Sequence, residues 1–450
     1  MSSAPAPCYR LDELPYEADP LPRLSRLRHL GYPILLDSAA GIERFARYSI
    51  MAAGPLQVTS PGPDESGKQV LARLRKSLAS LPPAQWPEDL ELPFGAGVLG
   101  YVSYDFGRLL ETLPSQAQAD IELPSLQMGL YGWSLVSDRV LLKSWLVSHP
   151  SLATEAVEEI LGLLRNQGSQ TLPAFRLSAP FQPEQSREDY QHSFERIQHY
   201  IHAGDCYQIN LAQRFKADCS GDPLTAYQRL RQACPTPFAA FIESPHSTLL
   251  CLSPERFLSL NKGQVETRPI KGTRARGRSP EQDHQLAAEL QSCAKDRAEN
   301  LMIVDLLRND LGRSCIPGSI KVPELFKLES YPNVHHLVSS VTGQLEPDQD
   351  ALDLLAGAFP GGSITGAPKV RAMQIIEELE PVRRSLYCGS IGYIGCEGQM
   401  DLNIAIRTLV HQHDALYCWG GGGIVADSEG ESEYQETLTK VRVLMDALLA

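Results

Sequence analysis

Residues 238–270 read FAAFIESPHSTLLCLSPERFLSLNKGQVETRPI, and the pattern of this stretch sets the fold class. Short apolar runs are broken at Ser244-Pro245-His246 and at Asn261-Lys262-Gly263, which is the spacing of antiparallel hairpins. Downstream, Ser279-Pro280-Glu281-Gln282 has the form of a capping box with proline at the first helical position, opening helices that run to about Asp310. A second strand meander spans Tyr387 to Ile424 and turns at Glu397-Gly398 and between His411 and Asp414. Runs of strands followed by runs of helices predict an α+β fold, antiparallel β-sheets flanked by helices, rather than a doubly wound parallel sheet. Upstream, Gly168, Ser169, Pro173, Pro180 and Pro183 interrupt periodicity between two helical patterns. That break sets an N-terminal subdomain at 1–180 and a second domain at 186–450. Ser186 and Asp189 form a helix start for the second, followed by Tyr190, Phe194, Ile197 and Ile201 at helical spacing.

The chain has 450 residues, long enough that one core stops growing, so two interleaved subdomains are expected. Its 41 Lys+Arg against 54 Asp+Glu give a formal net charge of −13, which excludes a generally basic nucleic-acid binder. With 43% hydrophobic and 21% charged residues the composition is that of an ordinary globular protein, not a disordered one. No apolar run approaches the roughly 18 residues of a membrane span, and Met1 to Glu17 lacks the pattern of a secretory signal, so a cytoplasmic location is expected. The ten cysteines form no C-x-x-C pair and are read as reduced, mostly buried thiols.

Several side chains stand out against this background. Helical geometry stacks Glu299 with Met302, Ile303 and Leu306, so its carboxylate must meet a cation or a metal. An ion pair with Arg297 or Arg308 would satisfy it equally. In the last helix Ser428 and Glu431 have capping-box spacing, and Tyr434, Leu438, Val441, Met445 and Leu448 make a buried stripe. Glu433 and Glu436 flank that stripe: a solvated acidic face, or, with Glu299, sparse carboxylate ligation of the kind Mg2+ prefers. The run Gly420-Gly421-Gly422-Gly423 permits a tight crossing or lets backbone amides face an anion. A strand from Asp401 to Thr408 would put Arg407 on the same face as Asp401, Asn403 and Ala405, either exposed at an edge or able to grip a carboxylate. Lys271 lies in a cationic segment, Arg268 to Arg278, where neighbouring charge and burial lower a lysine's pKa and make it nucleophilic. A solvated basic loop is the plain alternative.

Five motifs occur together in order: Ser253-Pro254-Glu255-Arg256-Phe257, Pro269-Ile270-Lys271-Gly272-Thr273, Lys295-Asp296-Arg297-Ala298-Glu299-Asn300-Leu301, Gly361-Gly362-Ser363-Ile364-Thr365-Gly366-Ala367-Pro368-Lys369 and Gly421-Gly422-Gly423-Ile424-Val425-Ala426-Asp427-Ser428. With them the chain resembles the chorismate-utilising enzymes, strongly from Gln185 to Ala450 and more loosely before. The resemblance implies antiparallel sheets flanked by helices, with chorismate and Mg2+ in a cleft between them. It implies Glu299 and Glu436 as Mg2+ ligands with Glu433 in support. It also implies Arg407, Tyr393 and the Gly421, Gly422 and Gly423 segment at the pyruvyl carboxylate, and Thr273, His336 and Thr365 around the ring.

Two positions select a reaction within the family. Anthranilate synthases of the family carry alanine at the position of Lys271, and isochorismate and salicylate synthases carry a water-activating lysine at the position of Gln208. Lysine at the first position and glutamine at the second imply amination of chorismate at C4, with Lys271 adding covalently at C2 and Glu255 as general acid. The implied product is 4-amino-4-deoxychorismate, on the way to 4-aminobenzoate and folate. No Gly-x-Cys-x-Gly elbow is present, so a separate glutamine amidotransferase subunit is the expected ammonia source. Anthranilate formation, and a non-catalytic regulator that binds tryptophan or chorismate, are the competing expectations. Leu36, Asp37, Ser38, Tyr48, Pro235, Pro237 and Phe238 resemble the tryptophan pocket of relatives, although Asp37 and Cys234 depart from the usual glutamate and asparagine.

Overall fold

Both hairpins of the 238–270 stretch form, but they belong to different sheets. In the computed structural model, which describes residues 7–39, 44–87, 90–166, 168, 172–331 and 334–449, Phe238–Glu243 pairs with Thr248–Ser253 and Arg256–Asn261 with Gln264–Arg268. The second turn is tight because Lys262 and Gly263 both take left-handed φ, 50° and 79°, the geometry whose twist matches the flanking strands. Between the hairpins the chain steps across at Pro254-Glu255. The later meander divides in the same way: Ser390–Gly395 and Met400–Asn403 lie in one sheet, Thr408–Gln412 and Ala415–Ile424 in the other. The strand expected from Asp401 to Thr408 is therefore two strands with a crossing between them. Arg407, at φ 50°, turns the chain there, so it does not share a face with Asp401 and Asn403. The two crossings are tied together, since the Ile404 amide donates to the Glu255 carbonyl at 3.0 Å.

The larger sheet has thirteen strands among the described residues. Its order in space is Arg10–Pro15, Lys143–Ser148, Trp133–Asp138, Tyr48–Ala52, Ile34–Asp37, Phe238–Glu243, Thr248–Ser253, Thr408–Gln412, Ala415–Ile424, Gln208–Ser220 and Gln182–Pro183, with two short strands at the side. The other sheet, of ten strands among the described residues, runs from Ile270–Ala275 through Val334–Gln344, Gln264–Arg268, Arg256–Asn261, Met400–Asn403, Ser390–Gly395 and Gly97–Val102 to Leu126–Tyr131 and Gln57–Thr59, with Lys321–Ser330 also paired to Val334–Gln344. These strands pair antiparallel throughout. The α+β expectation with interleaved halves is borne out: Ile34–Asp37 pairs with Phe238–Glu243, and Gly97–Val102 with Ser390–Gly395.

Strand alternation builds two cores from one sheet. Ile34, Ala240 and Leu249 pack with Val98, Leu258 and Leu402 of the other sheet, whereas Leu35, Phe241 and Leu250 turn outward. The outward set packs under helices Leu21–Leu27, Thr154–Arg165, Pro223–Ala233 and Gly430–Leu449.

Helix starts follow the sequence in part. Ser186 accepts from the Asp189 amide and Ser279 from the Gln282 amide, but the Ser279 capping box is only half formed, since Gln282 Oε1 accepts from the Arg278 amide instead; the helix Pro280–Ser292 continues after a break as Ala294–Leu311. The Ser428–Glu431 capping box does not form. The last helix begins at Gly430, and Ser428 instead accepts from the Val425 amide and donates to Glu433 at 2.6 Å. Its buried line is Glu433, Thr437, Val441, Leu444 and Leu448: Val441 and Leu448 are as expected, while Glu433, Thr437 and Leu444 take the places expected of Tyr434, Leu438 and Met445. Eight of the ten cysteines are buried as thiols. Ser169 lies outside the described residues. Among the described residues no helix is long and apolar enough to cross a membrane.

Candidate active site

A cavity of about 800 Å³ opens where both crossings, the glycine run and the last helix converge. Glu255 and Arg407 enter it from the two crossings, Lys271 and Thr273 from the edge strand Ile270–Ala275, Glu299 from Ala294–Leu311, and Glu433 and Glu436 from the last helix. Lys271 sits at an irregularity of that edge strand. The register with Val334–Gln344 shifts between Ile270 and Thr273, and Gly272 takes φ 86°. A bulge of this kind re-aims a side chain, here toward the cavity.

Lys271 Nζ donates to the Ser363 carbonyl at 3.1 Å, and the Ser363 hydroxyl donates to Glu255 Oε1 at 3.1 Å. Burial lowers the Lys271 pKa; Lys440 lowers it further, against the opposing pull of Glu299, Glu255 and Glu436. The arginines of the cationic segment are not the cause. Arg268 is held by Glu329 at 2.6 Å, Arg274 by Asp296 at 3.0 Å and Arg276 by Asp283 at 2.7 Å. Burial pushes the Glu255 carboxyl up to about 7, although Lys271 and the Ser363 hydroxyl oppose the shift. Such a group is a proton donor and acceptor near neutrality.

The three carboxylates expected to hold metal line the same cavity, and Glu436 is close enough to act on both of the others. Glu299 is pushed up by burial and by Glu436, with Lys271 and Lys295 opposing. Glu433 is likewise pushed up by burial and by Glu436, although the Ser428 hydroxyl opposes. For Glu436 burial is outweighed by Lys440, whose Nζ lies 2.7 Å away, and the net shift is down. Neither arginine offered as a partner for Glu299 takes it: Arg308 pairs with Asp305 at 2.8 Å and Arg297 stacks on Phe326. Among the described residues no three His, Cys, Asp or Glu side chains are gathered tightly enough to form a metal cage on their own. The donor chemistry nevertheless fits Mg2+, which takes one or two carboxylates and fills its shell with water and substrate oxygens.

The glycine run does two things. A Cβ on Gly420 would lie 2.2 Å from the Thr437 carbonyl, and one on Gly422 would lie 2.9 Å from Glu433 Oε2, so the last helix can approach only a bare backbone. Lys440 Nζ takes the Gly421 carbonyl at 2.8 Å. A strand residue's N–H and C=O point to the same side, so the amides of Gly421 and, two residues on, Gly423 also face away from Gln208–Ser220. Gly422, expected among the ligand contacts, instead spends its amide in the ladder opposite Leu211.

The sequence profile of the chorismate binding enzyme family matches residues 32–446. The chain belongs to the chorismate-binding enzymes. It is 45% identical over 433 residues to aminodeoxychorismate synthase component 1 of Salmonella typhimurium, covering 94% of each chain. It is 51% identical over 357 residues to the protein of that name from Klebsiella aerogenes, covering 79% of this chain and 78% of the relative. Anthranilate synthase component I from Streptococcus pneumoniae superposes with a TM-score of 0.76 at 30% identity, covering 99% of this chain and 93% of the other.

Within this chorismate-binding fold most expected residues converge, and four, Gly422, Tyr393, Pro235 and Thr365, do not. Thr273 and His336 meet at 2.8 Å, and burial together with Arg407 lowers the imidazole to about 3, so it is neutral. Tyr393 is not in the large cavity. It lines a second one of about 220 Å³ with Leu36, Asp37, Ser38, Tyr48 and Phe238, which places the expected tryptophan-pocket residues together, Pro237 included. Pro235 falls instead on the large cavity. Asp37 is committed to an ion pair with Arg231, which does not itself line this cavity. Thr365 is fully buried and its hydroxyl donates back to the Gly361 carbonyl at 3.0 Å, so it braces a turn. Tyr387, Lys440 and Ser363 were missed. The Tyr387 hydroxyl lies where a Cβ on Gly421 would approach it to 2.8 Å, and burial keeps the phenol protonated as a donor. Lys440 was detectable as the i,i+4 partner of Glu436.

Proposed function

We propose that the protein is a cytoplasmic synthase that converts chorismate and ammonia to 4-amino-4-deoxychorismate, the aminodeoxychorismate synthase component 1 reaction, supplying 4-aminobenzoate and folate synthesis. One observation carries the reading: a lysine of lowered pKa and a carboxyl raised to about 7 meet at Ser363 in one cavity. Opposed shifts of this sense mark a nucleophile and its acid rather than a structural ion pair.

In the first displacement neutral Lys271 Nζ bonds to C2 of chorismate. The C1–C2 π pair moves to C1–C6, the C5–C6 pair to C4–C5, and the C4–O bond breaks with its electrons. Glu255 gives its proton to that oxygen, and water leaves. In the second, ammonia bonds to C4, the two π pairs return, and lysine departs from C2 as a neutral amine. The product amine then carries the charge, and a proton from solvent resets Glu255. Arg407, the Tyr387 hydroxyl and the Gly421 and Gly423 amides are the groups suited to the pyruvyl carboxylate, and neutral His336 with Thr273 to the ring.

Glu299 and Glu436, with Glu433 in support, are the residues that would hold Mg2+. When bound it supplies charge to the ring carboxylate and polarises the C2 to C4 region. Charge supports this: five cationic and five acidic side chains line the cavity, so a dianionic substrate meets no net counter-charge without a divalent cation.

The relatives bear the name component 1, and we take the ammonia source to be a second component, a glutamine amidotransferase. Anthranilate formation is the rival, favoured by the Streptococcus pneumoniae neighbour; Lys271 beside Glu255 weighs against it. Tryptophan is the ligand to titrate against the second cavity. The direct test of the lysine is intact-protein mass spectrometry after mixing with chorismate and Mg2+ in the absence of ammonia. The wild type should gain the mass of chorismate less water and Lys271→Ala should not; the same gain in the variant would contradict the assignment.

A further inference from the structure

The motif from Gly361 to Lys369 supplies Ser363, which hydrogen-bonds both reacting groups. Ser363 presents its carbonyl to Lys271 Nζ and its hydroxyl to Glu255 Oε1, each at 3.1 Å, and is itself 6% exposed. We propose that Ser363 is the positioning residue of the site, holding the nucleophile and the general acid in register from a single rigid turn. This deepens the reading above and rests on it.

The turn is built to be immobile. Gly361 and Gly362 have no room for a side chain: a Cβ on the first would lie 2.9 Å from Ile404 Cδ1, on the second 2.4 Å from Leu306 Cδ2. The Ile364 carbonyl accepts from the buried Arg384 guanidinium at 2.9 Å, and Thr365 Oγ1 closes on Gly361. Beyond it, Lys369 is pinned between Asp310 and the Ala358 carbonyl, both at 2.8 Å. The backbone of Glu255 is fixed independently, its amide on Ser253 Oγ at 3.2 Å and its carbonyl on the Ile404 amide at 3.0 Å.

The hydroxyl therefore helps to orient the acid. The Glu255 carboxyl accepts from Ser363 at Oε1 and also from the Ile270 amide, and the serine bond ties it to the residue whose carbonyl holds Lys271. Ser363 touches neither Arg407 nor the glycine amides in this arrangement, so its loss should spare substrate binding. A misaligned acid lowers turnover without lowering affinity.

The test is a double-mutant cycle on Ser363→Ala and Glu255→Gln, measured as 4-amino-4-deoxychorismate formed from chorismate, saturating Mg2+ and ammonium. Ser363→Ala should lower kcat roughly 10- to 100-fold with the chorismate KM changed less than about threefold. On the Glu255→Gln background the same substitution should cost less than about twofold, because the serine acts through that carboxyl. Ser363→Cys, close in size but a poor donor, should behave as the alanine variant does, and it replaces alanine in the cycle if alanine unfolds. Independent effects that multiply, or a Ser363→Ala kcat within about twofold of wild type, would overturn the role. A wild type that yields no C4-aminated product would sink the reaction assigned above instead, so the two failures are distinct.

Discussion

Proton affinity at Glu255 decides the pH range over which the site can work. The carboxyl acts as an acid, so it must carry its proton when C4–O breaks. Its pKa is raised from 4.5 to about 7, and the protonated fraction falls as pH rises through that value. With free ammonia held constant, kcat should decline on the alkaline side with an apparent pKa near 7. In Glu255→Gln that limb should vanish and kcat should fall roughly 10²- to 10⁴-fold. An unchanged alkaline limb in the variant would assign it to another group. At this scale the sequence exposed much of the chemistry, because Lys271 is unusual where it stands and the family resemblance implied Glu255. It did not expose Tyr387 in place of Tyr393. The two tyrosines lie six positions apart around one strand start, and only the placement of Ser390–Gly395 deep in the ten-stranded sheet turns Tyr393 to the other cavity.

The strand Ala415–Ile424 and the helix Gly430–Leu449 form the element pair on which the carboxylates depend. Gly420 is the closest approach, with backbone rather than a movable side chain opposite it. Gly420→Ala must push the helix out, and overpacking of this sort costs about 1–3 kcal/mol. The variant should lose thermal stability and also need more Mg2+ for half-maximal activity, since Glu433 and Glu436 ride on the displaced helix. A lowered melting temperature with an unchanged Mg2+ requirement would separate the helix from the metal site. Hairpins were legible at this scale because turn chemistry is local: Asn261-Lys262-Gly263 needs no partner to be recognised. The switch of sheet at Pro254-Glu255 and at Ile404 to Arg407 was not. Continuous β-pattern through 401–408 hides a crossing that only the left-handed Arg407 backbone reveals.

Over the whole molecule, the break near residues 166–185 marks a change of sequence pattern and not a division of the cores. Both sheets run through it, and the inter-sheet core takes Val98 and Val136 from one side and Ala240, Phe257 and Leu402 from the other. A fragment of residues 186–450 should therefore fail to fold alone, because Phe238–Glu243 and Ser390–Gly395 would be left as bare hydrophobic edges. Gel filtration and near-ultraviolet circular dichroism would show it aggregated or without fixed packing. A monodisperse fragment that melts cooperatively would contradict this. The net charge of −13 belongs to the rest of the surface, since acids and cations balance inside the cavity.

The central claim is amination at C4 through Lys271, and product identity tests it most directly. The protein should be incubated with chorismate, Mg2+ and ammonium, with and without a 4-amino-4-deoxychorismate lyase. The account predicts a product that becomes 4-aminobenzoate only when the lyase is added. Fluorescent anthranilate appearing without lyase would contradict it.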